Sequence, residues 1–72
     1  MIEASMRLLD VVALTEDVPS AGLVRGQVGT VVELHKDGCF EVEFADDQGE
    51  PYAVIPLQAR QLLVLHYAPA SA

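Results

Sequence analysis

The chain reads as short apolar runs separated by turn residues. Leu8–Thr15 (LLDVVALT) is rich in Val and Leu and has no helix caps, which predicts a first strand. Glu16–Gly26 (EDVPSAGLVRG) carries Pro19, Gly22 and Gly26 and reads as a loop of roughly ten residues, long enough to hold a shape of its own. Gln27–His35 predicts a second strand, and Gly29 near its start marks a bulge or a close backbone approach. Lys36-Asp37-Gly38 is a hairpin turn. Cys39–Ala45 then alternates, with Phe40, Val42 and Phe44 on one face and Glu41 and Glu43 on the other, the pattern of a half-buried antiparallel strand. After a second turn at Asp46–Glu50, Pro51–Leu57 predicts a fourth strand. Pro56 has no N–H for a ladder, so it belongs at an edge, an end or a bulge. Gln58–Gln61 fits a single helical turn, and Leu62–His66 a fifth strand.

This order predicts an all-β fold: a small five-stranded antiparallel SH3-like barrel with one short helical turn before the last strand. The barrel domain is expected over residues 7–67, with a flexible N-terminus at 1–6 and a disordered tail at 68–72. Five short strands enclose only side chains, so function is expected on loops, edges or the outer face. The expected interior is Val12, Leu14, Val31, Leu34, Phe40, Val42, Phe44, Val54, Leu57 and Leu63.

The first, fourth and fifth strands are nearly continuous in apolar residues, which implies that both of their faces are covered. Leu9, Val11, Ile55, Val64 and Tyr67 remain once the interior is filled, and they are expected to form an outer apolar patch that contacts protein. The competing expectation is that the tail and the long loop fold over them.

Composition narrows the function. Eleven Asp and Glu against four Lys and Arg give a net charge of −7, and Arg25, Lys36 and Arg60 are dispersed among acids, which argues against nucleic-acid binding. One cysteine excludes an internal disulfide. With only His35, Asp37, Cys39 and His66 nearby and no paired ligand motif, no metal is expected. Cys39 lies between Asp37 and Glu41, which raise a thiol pKa, so it is expected to be inert. Gly22, Gly26 and Gly29 lack the Lys and the following helix of a phosphate loop, and no cofactor is expected. No apolar run is long enough to span a membrane and the start has no signal-peptide pattern, so a cytoplasmic location is expected. Glu41, Glu43, Asp46, Asp47 and Glu50 offer an acidic face for a basic partner.

The segments DVVALTEDVP, GLVRGQVGTVVEL, GCFEVEFAD, GEPYAV and QLLVLH, in this order from about Leu8 to His66, resemble a small bacterial family defined as a domain of unknown function (number 4926). The resemblance implies an SH3-like barrel and brings no catalytic residue to carry over. Proteins that resemble the chain are often encoded beside another small protein, which implies a partner-binding or antitoxin-like role. Together these expectations describe a cytoplasmic, non-enzymatic protein-interaction module that self-associates or binds another protein through its apolar patch. The alternative is an antitoxin or immunity-like partner that blocks an adjacent-encoded protein through its acidic face.

Overall fold

Two tight turns set the register of the central strands in the computed structural model, which describes residues 6–69. At the first, the His35 N–H donates to the Cys39 carbonyl at 2.9 Å, and Gly38 takes the positive φ of +87° that the turn demands. At the second, the Asp46 carboxylate accepts the N–H groups of Gln48 and Glu50, each at 2.9 Å, and Gly49 takes φ +83°. These turns join β2 (Val28–Leu34), β3 (Cys39–Ala45) and β4 (Pro51–Gln58) into an antiparallel meander. β1 (Val11–Leu14) lies against β2, and β5 (Leu62–Val64) lies against β1. The result is one five-stranded antiparallel sheet in the order β4-β3-β2-β1-β5, with short 3₁₀ turns at Pro19–Ala21 and Ala59–Gln61. The fold is all-β, and its order is consistent with the small barrel expected. β1 and β5 are shorter than their apolar runs. Leu8 and Leu9 lie instead in a turn closed by the Asp10 N–H on the Arg7 carbonyl.

The core follows from the register. Val12, Leu14, Val31, Val42, Phe44, Leu57, Leu62 and Leu23 are buried, with Met6, Phe40, Ala53, Ile55 and Val64 packed partly against them. Three expected interior residues are corrected. Phe44 pairs with Ala53, Val42 with Ile55 and Phe40 with Leu57, so the odd-numbered residues of β4 face inward and Val54 faces out beside Glu43. On β5, Leu62 pairs with Leu14 and Val64 with Val12, which turns Leu63 outward. Leu34 is half-exposed; it lies at the far end of β2, beyond a register shift between Val31 and Glu33. Gly29 is the site of the close approach: a Cβ there would stand 2.7 Å from Val42 Cγ1, and the register shift falls elsewhere. Met6, expected in the frayed N-terminus, is half-buried against the core. Residues 1–5 and 70–72, also assigned to flexible ends, lie outside the described residues.

The long loop folds back on itself and closes one end of the core. Val18 and Leu23 bridge each other through both backbone directions, at 2.8 and 3.1 Å, and this drives the Leu23 side chain inward. The Asp17 carboxylate accepts the Arg25 N–H at 2.9 Å, and the Gly26 N–H bonds to the Leu14 carbonyl at 2.8 Å. At the loop's start Thr15 donates its hydroxyl to the Arg60 carbonyl at 2.8 Å, while the Arg60 guanidinium and the Gln61 amide both reach the Glu16 carboxylate. These contacts tie the loop to the 3₁₀ turn that leads into β5.

Candidate functional site

Alternation along each strand leaves one set of side chains on the outside of the sheet, and the register sorts them into rows. Val28 pairs with Ala13 and Ala13 with Leu63, so these three stand side by side across β2, β1 and β5. Val28 is 48% and Leu63 58% exposed. The next row runs Val11, Thr30, Glu43, Val54 across β1 to β4, and Leu65 joins it because its N–H bonds to the Val11 carbonyl at 2.9 Å. A third row holds Glu33, Glu41 and Pro56. The outer face is therefore apolar toward β5 and acidic over β2 and β3. An open cleft of about 420 Å³ flanks the apolar end, between Ala13, Thr15 and Leu63 on one side and Arg25 and Gly26 of the long loop on the other.

This arrangement breaks up the predicted apolar patch. Val11 is on the outer face as expected, and Leu9 and Tyr67 are strongly exposed in segments flanking the strands. Ile55 and Val64 are corrections: both lie on the core side, opposite Val42 and Val12, which are fully buried. Their runs, AVI and LLVL, have no polar residue to reveal parity, so only the register with a neighbouring strand assigns their faces. Leu63 and Leu65 were missed for the same reason, and Ala13 and Val28 although polar residues flank their runs. The clean signal was available on β2, where Val28 and Thr30 flank Gly29.

The acidic residues divide as well. Glu41 and Glu43 are half-buried on the outside of β3, and Glu33 joins Glu41 through the ladder. Asp46 is absorbed by the turn it caps, and Asp47 and Glu50 are exposed beside it. Glu41 is also bonded to His35 at 2.8 Å.

His35, Lys36, Asp37, Cys39, Glu41 and Pro56 line a second open cleft, of about 620 Å³, at the β2–β3 hairpin. The hydrogen bond that His35 donates to the Glu41 carboxylate raises the His35 pKa; partial desolvation opposes this, and the charges of Glu33, Glu41 and Asp37 add to the rise. The Cys39 thiol is also pushed up, by desolvation first and then by Asp37, the opposite of what a thiolate nucleophile needs. His66 follows β5 and is not part of this cleft. Among the described residues, no group of three or more His, Cys, Asp or Glu side chains is placed to hold a metal ion. No helix among them is long and apolar enough to cross a membrane.

The molecule is thus a small all-β domain whose chemistry lies on the outside of its sheet, divided between an apolar and an acidic region. The chain belongs to the domain of unknown function 4926 family, whose model matches residues 8–64. No curated protein and no solved structure matches it.

Proposed function

We propose that the chain is a non-enzymatic protein-interaction module that binds a second copy of itself through the outer face of β2, β1 and β5. The observation that carries this reading is the row Val28–Ala13–Leu63, placed side by side by the register with its two outer members half-exposed. Apolar side chains aligned on one sheet face gain by burial roughly in proportion to the area removed from water. The charge distribution supports a second copy as the occupant. Glu33, Glu41, Glu43 and the Asp46–Glu50 turn lie on β2 to β4, while Leu62 to Leu65 carry no charge. So small a domain, with no disulfide, also gains stability from association.

Light scattering behind a sizing column tests this. A mass about twice 7.8 kDa that persists in about 0.5 M salt, and that falls to the monomer value in Leu63→Asp, is the expected result. A monomer at every concentration overturns it.

A second reading draws on the contiguity of Glu33, Glu41 and Glu43, an acidic strip suited to a basic partner such as an adjacent-encoded protein. It requires a complex that salt dissolves, and Glu41 is already engaged with His35.

A further inference from the structure

The two edges of the sheet differ in what they offer another strand. β4 and β5 end the strand order. On the β4 side, the bond from the His35 N–H to the Cys39 carbonyl fixes the alternation along β3: Cys39, Glu41 and Glu43 turn their amide groups toward β2, and Phe40, Val42 and Phe44 toward β4. Glu41 and Pro56 then face each other without ladder bonds, and the Pro56 nitrogen points to the open side with no hydrogen to donate. Pro51 opens the same strand. Pro56 therefore interrupts this edge, while the N–H and C=O of Val54, opposite Glu43, still face the open side.

The β5 edge has no proline to interrupt it. The Leu65 N–H donates to the Val11 carbonyl and the Thr15 N–H to the Gln61 carbonyl, each at 2.9 Å. The bonded pair between them is Ala13 with Leu63. Val64 opposite Val12 and Leu62 opposite Leu14 are the unbonded pairs, so the N–H and C=O of Val64 and the C=O of Leu62 point away from β1. The Leu62 N–H is turned back onto the Ala59 carbonyl by the 3₁₀ turn. His66 is next in the same alternation. Among the described residues no strand lies beyond β5.

This set of donors and acceptors is complementary to itself. We propose that β5 pairs antiparallel with β5 of a second copy about a two-fold axis at Val64, which joins the two sheets into one. In that register Val64 exchanges both of its bonds with the partner's Val64. The His66 N–H donates to the Leu62 carbonyl of the partner subunit, and the symmetry returns the same bond. On the outer face Leu63 stands against the partner's Leu65. The row Val28–Ala13–Leu63 therefore continues into the partner's Leu65 and Val11, with direct apolar contact at the seam between Leu63 and the partner's Leu65. An isologous contact of this kind closes on itself, because it uses the β5 edge of each copy. The inference rests on the self-association reading above and places the contact on the β5 edge of that face, with its register.

The test uses the full chain. In a sample mixing isotope-labelled and unlabelled copies, a nuclear Overhauser contact between the α-protons of Leu63 and the partner's Leu65 is expected. Val64→Pro should give a folded monomer, because the nitrogen at that position faces the open edge and the β1–β5 ladder loses no bond. A dimer that survives Val64→Pro and lacks the Leu63–Leu65 contact overturns β5 pairing while self-association stands. A wild-type chain that is monomeric throughout overturns both. Should Val64→Pro fail to fold, the presence or absence of the contact in the wild-type dimer decides.

Discussion

Gly29 faces Phe44 across the β2–β3 ladder so closely that a methyl group on Gly29 would stand 2.9 Å from Phe44 Cδ2. It would also meet Val42 Cγ1 at 2.7 Å and the Glu43 carbonyl oxygen at 2.9 Å. Val42 and Phe44 are both fully buried and have no room to withdraw, and the carbonyl is part of the ladder itself. Gly29 is needed here for space. Gly29→Ala is therefore expected to cost about 1–3 kcal/mol through overpacking, read as a lower urea midpoint with an unchanged slope. A midpoint equal to the wild type's would show that the two strands separate there at no cost.

What the sequence could reveal tracks where polar residues interrupt the apolar runs. CFEVEFA alternates, and β3 begins and ends at Cys39 and Ala45 as expected. Asp-Gly at 37–38 made its turn, and of the edge, end or bulge open to Pro56, β4 supplies the edge. AVI and LLVL contain no such marker. Their inward faces depend on Ala53 lying opposite Phe44 and Leu62 opposite Leu14, pairings made across the sheet and invisible along the chain. The candidate surface inherited this blindness: Leu63 and Val64 exchanged places between core and solvent. The contact between His35 and Glu41 was obscured differently, since the register shift between Val31 and Glu33 leaves no mark in residue type.

Leu23 and Leu63 make a matched pair for testing the assigned faces. Leu23 sits in a loop rich in Gly and Pro, where an isolated Leu is ordinarily taken for surface, yet it is 2% exposed beneath the Val18 bridge. Leu63 lies in a strand, where burial is the natural expectation, and is mostly exposed in a single copy. Leu23→Ala should lose about 2–5 kcal/mol, the range for a buried Leu. Leu63→Ala should change the stability of the monomer by about 0.5 kcal/mol or less. Chemical denaturation at concentrations too low for association compares them directly, and equal losses would contradict the assigned faces.

His35 and Glu41 give the hairpin a pH dependence of defined sign. The Glu41 carboxylate accepts from His35 Nε2 at 2.8 Å, with Glu33 and Asp37 adding negative charge and Lys36 in the same cleft. The folded state therefore holds the imidazolium more readily than the unfolded chain does, and the His35 pKa stands above its ordinary 6.5. Extra proton affinity in the folded state stabilises it fully below that ordinary value, and the contribution is lost as pH rises through the higher folded value. The imidazole signals of His35 are expected to titrate above 6.5 and to move back toward it in Glu41→Gln, which keeps an acceptor but removes the charge. The stability advantage of the wild type over Glu41→Gln should be largest below the ordinary 6.5 and fade as pH rises above it. The pairing is exposed enough for salt to weaken it, so the effect should shrink as ionic strength increases. A His35 that titrates at or below its ordinary value, or an advantage that grows with pH, would refute the ion pair.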